Sequence, residues 1–190
     1  MNRYIIDFDY TLFDTNAMRA ALQAGLQTAC GTTIEEYQAA EKRSTEHGAL
    51  YSLEAHIAEL YPEHDDREKG LAVAEGVVLH MTDWMYPDVL PVLQKLQAAG
   101  SRLILLSFGN RDWQMKKISH SGAQDLFDEV EIVEGSKTEP VHLFEADNGE
   151  KIICVNDRAT EIDELHSVFP HVEYVWIQRP DTPYNNTPPT

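Results

Sequence analysis

The sequence predicts an α/β fold: a parallel sheet covered by helices on both faces, with a helical unit inserted after the first strand. Two observations carry this. From residue 87 onward, helical and strand-like stretches alternate, the pattern of crossover connections between parallel strands. Between residues 15 and 85 no convincing strand occurs, yet helix start and stop signals recur. That stretch of about 70 residues is too long to be a loop. A chain of 190 residues suffices for one good core and a smaller appended unit. The expected division is therefore a core at 1–14 and 86–190 and a helical unit at 15–85.

The first strand is the short apolar run 4–6, ending in Asp7-Phe8-Asp9. In the insert, Thr33-x-x-Glu36 forms a capping box, Ser52 caps a helix that Pro62 ends, and Asp65-x-x-Glu68 opens another toward His80. Residues 87–100 predict an amphipathic helix, with Val89, Leu90, Leu93 and Leu96 on one face and Gly100 closing it. Leu103-Ile104-Leu105-Leu106-Ser107 is a continuous apolar strand of the kind buried on both faces of a parallel sheet. A helix at 112–121, a strand at 130–133, a helix at 138–146 with Pro140 in its first turn, and a strand at 152–155 follow. Thr160-x-x-Asp163 opens a further helix, and 172–177 is the fifth strand. The tail at 179–190, rich in Pro, Asn and Thr, is expected to be peripheral or mobile.

Composition bounds the partners. No apolar run reaches the roughly 20 residues a membrane span needs, and the N-terminus lacks the pattern of a secretory signal, so the expected location is cytoplasmic. Cys30 and Cys154 are expected to be buried free thiols. A formal charge of −17 opposes nucleic acid and anionic membrane surfaces. It also repels a small anionic substrate unless a metal ion and local donors reverse the field. The insert's histidines, His47, His56, His64 and His80, lack ligand spacing and are expected to be surface or partly buried residues.

In open parallel sheets ligands bind at the carboxyl ends of the strands. The polar residues there are Asp7 and Asp9 after strand 1, Ser107 ending strand 2, Lys137 after strand 3, and Asp157 after strand 4 with Glu161 four residues on. Aspartates on neighbouring strand ends can share one hard cation, and Mg²⁺ takes one or two protein carboxylates together with water and phosphate oxygens. A hydroxyl and an ammonium opposite would bind a transferring phosphoryl group. Asp7 and Asp9, two apart on extended chain, point to one side, so one can attack and the other move protons. Taken singly, each has a plainer reading: Asp7 and Asp9 as turn residues, Ser107 as a strand-end hydroxyl, Lys137 as a surface lysine, Glu161 as an acid near a helix N-terminus.

With these residues in order, the chain resembles the haloacid dehalogenase-like hydrolases that carry an α-helical cap after strand 1. The motifs are Asp-x-Asp-x-Thr (Asp7 to Thr11), Ser107, Lys137, and the acidic pair Asp157-x-x-x-Glu161. The resemblance implies a Rossmann-like core with strand order 5-4-1-2-3 and a two-step phosphomonoester hydrolysis. Asp7 would be the nucleophile, and Asp9 the acid and base. Mg²⁺ would be held by Asp7, the Asp9 carbonyl and Asp157, with Glu161 helping. Ser107 and Lys137 would bind phosphate. The substrate would be a small phosphorylated metabolite, and the protein a monomer or homodimer. Asp9 sets the chain apart from the superfamily's dehalogenases, which lack it. A mutase or phosphotransferase, or a non-catalytic phosphoryl-binding module, are the alternatives. Tyr10 stands where relatives often have Gly or Asn, and Phe108-Gly109-Asn110 replaces a common Asn after Ser107. This loop and Arg111 are candidate substrate contacts.

Overall fold

A computed structural model describes residues 2–147, 149–180, 182–184 and 188–190, the side chain of His64 excepted. The strands β1 (Asn2–Ile6), β2 (Arg102–Phe108), β3 (Glu129–Val133), β4 (Lys151–Asn156) and β5 (Glu173–Trp176) form one parallel sheet in the order β3-β2-β1-β4-β5. This is the expected order, read from the other edge. The helices are α1 (Thr15–Cys30), α2 (Ile34–Ser44), α3 (Leu53–Leu60), α4 (His64–Leu79), α5 (Val89–Ala98), α6 (Arg111–His120) and α7 (Ala159–Val168). α1 to α4 all lie between β1 and α5. Among the described residues no helix is long and apolar enough to cross a membrane.

The punctuation explains several helix ends. Thr33 and Glu36 form the reciprocal capping box at the start of α2, Ser52 caps α3, and Gly31 closes α1 at φ 74°. α4 and α7 start without a side-chain cap, one residue before Asp65 and Thr160 respectively.

Strand β2 is buried from Leu103 to Ser107 because its two faces contribute to different clusters. Leu103 and Leu105 join one core, and Ile104 and Leu106 the other. The first cluster runs from Ile6, Phe8 and Leu105 in the sheet layer to Leu22, Tyr37 and Ile57 in α1 to α3. The inserted helices therefore pack on the same continuous core as the sheet. Each fully buried aliphatic or aromatic side chain there contributes roughly 1.5–3 kcal/mol. The second cluster, on the other face, is closed by Phe144 and Phe169, stacked 4.3 Å apart.

The expected helix at 138–146 is corrected to a single 3₁₀ turn, Val141–Leu143. Pro140 has no N–H to donate, and the preceding chain is closed instead by Glu139, whose carboxylate accepts from the Ser136 N–H at 2.9 Å. Farther on, buried Arg3 reaches across from β1. Its Nη1 donates to the carbonyls of Leu143 and Glu145 at 2.8 and 2.9 Å, so these oxygens serve a tertiary contact where a helix would need them.

The described part of the tail is peripheral, most of it exposed, and side chains tie it to the core. Arg179 donates to the Thr11 carbonyl at 3.0 Å and to Asp88 at 2.8 Å. The Tyr184 ring meets Tyr10 edge-on at 5.7 Å, and Thr190 donates to Asp163. Residues 181 and 185–187 lie outside the described residues. Cys30 and Cys154 are free, Cys154 buried as expected and Cys30, at the end of α1, only partly so.

Among the described side chains of the insert, one histidine is fully buried. His56 accepts at Nδ1 from the Tyr51 hydroxyl (3.1 Å) while Nε2–H donates to the Tyr37 carbonyl (2.9 Å). Burial pushes its pKa down to about 4. A folded-state value below the unfolded value of about 6.5 means the unfolded chain takes the proton first. Stability is then full above pH 6.5 and declines as the pH falls toward 4. The decline between pH 7 and pH 5 is expected to be about 2 kcal/mol. Urea unfolding of the wild type and of His56→Gln checks this: the variant should lack that part of the slope, and equal slopes would remove His56 as its source.

Candidate active site

The parallel register brings the motif residues to one end of the sheet. Ile6 pairs with Leu105 on one side and Val155 on the other, so the residues that follow, Asp7, Ser107 and Asp157, all emerge at the carboxyl edge. A tight turn then shapes the first motif. The Phe8 carbonyl accepts from the N–H groups of Thr11, Leu12 and Phe13, and Tyr10 takes a left-handed conformation at φ 57°. That conformation explains why Gly or Asn suits this position, and a tyrosine there costs about 1 kcal/mol. Its ring lines the cleft, so the substitution alters the site's wall.

Asp7 is buried, and its Oδ1 accepts from Lys137 Nζ at 2.5 Å. Its Oδ2 faces the Thr11 hydroxyl at 3.4 Å, and the same hydroxyl lies 3.5 Å from Asp157 Oδ1. Asp7 and Asp157 thus converge on one hydroxyl. Burial raises the Asp7 pKa despite Lys137, and burial together with the Asp7 charge raises Asp157 to about 8. Asp157 Oδ2 is buried with no hydrogen-bond partner, and so is Ser107 Oγ. Orphaned buried polar atoms are rare in folded chains, and a bound ion or water is one way such atoms are satisfied.

Lys137 is also buried and bridges Asp7 and Glu161, whose Oε2 is 2.7 Å away. Two carboxylates lift its pKa against the downward push of burial. Glu161 is further engaged by Asn156 at 3.0 Å and Arg158 at 3.2 Å. Its carboxylate therefore serves cations and an amide already present.

Asp9 is held apart from Asp7 by donors the sequence did not disclose. Lys117 Nζ lies 2.5 and 2.7 Å from its two oxygens, Thr15 donates at 2.6 Å, and Gln114 Nε2 at 2.9 Å. Burial alone would raise the Asp9 pKa, but Lys117, with Thr15 and Gln114, holds it below the usual range. Lys117 is itself buried, with Phe8, Phe13 and Trp113 rings 5.6–5.8 Å away. The available signal was Gln114-x-x-Lys117, two polar residues on one face of the helix that leaves strand 2.

The loop after Ser107 lines the cleft in part. Phe108, Gly109 and Asn110 border it, but the Gly109 N–H donates to the Val133 carbonyl at 3.0 Å and Asn110 Oδ1 caps α6. Gly109 has φ 142°, and a Cβ there would come within 2.7 Å of Gln114 Nε2, displacing a partner of Asp9. Arg111 points to β3, donating to the Ile132 carbonyl at 2.8 Å.

A cavity of about 280 Å³ opens over Asp7, Asp9, Lys137 and Asp157 and extends under the inserted helices. Among the described residues no three carboxylate, imidazole or thiolate side chains gather into a ready-made ion cage. The two converging aspartates offer only hard oxygen atoms, one of them orphaned, which is the donor set Mg²⁺ uses when water and phosphate complete its shell.

Comparison with known proteins gives the family and the fold. A sequence model of a family described as haloacid dehalogenase-like hydrolase matches residues 1–163. A glyceraldehyde 3-phosphate phosphatase of Methanopyrus kandleri is 29% identical over 143 residues, 68% of this chain and 60% of that protein. The match therefore spans less than two thirds of that relative. Among solved structures, a haloacid dehalogenase-like hydrolase of Burkholderia xenovorans LB400 superposes with a TM-score of 0.78 at 19% identity, covering 100% of this chain and 89% of the other. A magnesium-bound HAD-hydrolase of Bacillus subtilis gives 0.62 at 15% identity, covering 96% and 90%. At these identities the two structures share the fold.

Proposed function

The chain belongs to the haloacid dehalogenase-like hydrolase family, and on that premise we propose that it is a Mg²⁺-dependent phosphatase that hydrolyses a small phosphomonoester through a phospho-Asp7 intermediate. The observation that carries the reading is the environment of Asp7. One oxygen is held by Lys137, and the other meets Asp157, whose Oδ2 is orphaned, at the Thr11 hydroxyl.

Asp7, Asp157 and the Asp9 carbonyl would hold the ion, with Glu161 acting through Lys137. The ion would supply charge neutralisation, so that an anionic nucleophile can meet an anionic phosphate. Lys137 and the unpartnered Ser107 hydroxyl would bind the phosphoryl oxygens. Asp7 attacks phosphorus while Asp9 gives its proton to the departing alcohol oxygen. Water, losing a proton to Asp9, then attacks phosphorus and frees Asp7. The Lys117 pair favours ionised Asp9, the form the second step needs. An arriving phosphate dianion, a like charge, favours its protonated form for the first. The helices at 15–85 act as a cap, excluding water and contacting the leaving group. The relative from Methanopyrus kandleri, named as a phosphatase of a small phosphorylated sugar, supports the reaction class.

The test is a phosphomonoester panel with and without Mg²⁺. Release of inorganic phosphate that EDTA abolishes is expected. An isomerised product would favour the mutase reading, and activity that survives EDTA on 2-haloacids would favour dehalogenation. Lys117→Met is expected to lower kcat about 100-fold and move the acid limb of its pH profile upward, because half-buried Asp9 loses its cation. An unmoved limb would separate Lys117 from proton transfer.

A further inference from the structure

The far wall of the cavity carries no residue of the four motifs. Arg19 on α1 forms an ion pair with Glu41 on α2, and both border the cavity that holds Asp7 and Lys137. Tyr51 and Trp113 form an apolar corner beside them, ring centroids 6.2 Å apart and inclined at 65°. The Tyr51 hydroxyl is engaged by His56, so this corner offers ring surface.

We propose that the Arg19–Glu41 pair selects the leaving group, admitting neutral hydroxylated alcohols, as in a sugar or polyol monophosphate, and disfavouring leaving groups that carry a second anion. This rests on the phosphatase reading and adds the substrate class. A guanidinium has five N–H donors and a carboxylate about four acceptor positions, so the pair, with Arg19 also beside the Tyr10 and Tyr37 hydroxyls, still sets donors and acceptors side by side. Adjacent hydroxyls, which both donate and accept, satisfy such a surface, while the carbon-bound face of a polyol lies against Tyr51 and Trp113. A carboxylate or second phosphate meets Glu41 as a like charge and finds Arg19 already neutralised. The cationic groups deeper in the cavity are committed as well, Lys117 to Asp9 and Lys137 to Asp7 and Glu161. The chain's charge of −17 adds to the repulsion.

Glycerol 3-phosphate and 3-phosphoglycerate share a carbon skeleton and differ by one hydroxymethyl against one carboxylate. The wild type with Mg²⁺ is expected to favour glycerol 3-phosphate by about tenfold or more in kcat/KM. Glu41→Gln, which leaves Arg19 uncompensated, should shift the ratio at least about tenfold toward 3-phosphoglycerate. Arg19→Gln combined with Glu41→Gln should cancel that shift. A wild-type preference for 3-phosphoglycerate, or an unshifted ratio in Glu41→Gln, would overturn the selector while p-nitrophenyl phosphate turnover keeps the phosphatase reading intact. No turnover of any of the three substrates would overturn both. The wild-type comparison needs no variant, so it decides even if Glu41→Gln fails to fold.

Discussion

Asp7→Asn is expected to keep the fold and lose at least about 10⁴-fold in turnover. The amide matches the carboxylate in shape but cannot attack phosphorus. Little structural loss should accompany it. Lys137 keeps its second carboxylate, Glu161, at 2.7 Å, and burial already works against the Asp7 charge. Asp157, held near 8 partly by the Asp7 charge, should also return toward the usual carboxyl range. A melting temperature within a few degrees of wild type, together with lost phosphate release, is the expected pair of results. Undiminished release would move the nucleophile elsewhere.

Lys137→Ala should harm both stability and chemistry. Without its ammonium, Asp7 and Glu161 lose a shared cation inside a site that also holds Asp157. Breaking a buried pair by removing one partner costs about 3–5 kcal/mol. The sign of its pH dependence follows from the same charges. Carboxylates crowded together without a cation have raised folded-state pKa values, so the native state binds more protons than the unfolded one. The variant's deficit should therefore be largest near pH 8 and shrink as the pH falls through those raised values. Mg²⁺, by neutralising Asp7 and Asp157, should recover part of the loss. Turnover should fall by about 10²–10³-fold. Wild-type kinetics and stability would reduce Lys137 to a surface charge, at odds with its burial.

Most of the sheet was legible because strand burial writes itself into the chain. The run Leu103 to Ser107 is apolar without alternation, as a strand covered on both faces must be, and the polar residues ending β1, β2 and β4 meet at one edge as a parallel register requires. The misread segment, 138–146, failed for a tertiary reason: Arg3 of β1, more than 130 residues away in sequence, takes the carbonyls of Leu143 and Glu145. Lys117 and Gln114 were missed on similar grounds. Their partner Asp9 is about a hundred residues distant, and in sequence they are two polar residues on an ordinary helix. Tyr10 stood out as unusual, but its effect depends on a left-handed φ and on Tyr184 across the cleft, neither of which local pattern specifies. Arg19 and Glu41 belong to different helices, and only their packing makes them a pair.

The phospho-Asp7 intermediate is tested most directly by rapid acid quench of the wild type turning over a phosphomonoester with Mg²⁺, followed by peptide mass spectrometry. One phosphoryl group on the peptide containing Asp7, labile to hydroxylamine and missing from Asp7→Asn, is the expected result. Steady phosphate release with no phosphorylated peptide at any quench time, or with the label on another residue, would contradict it.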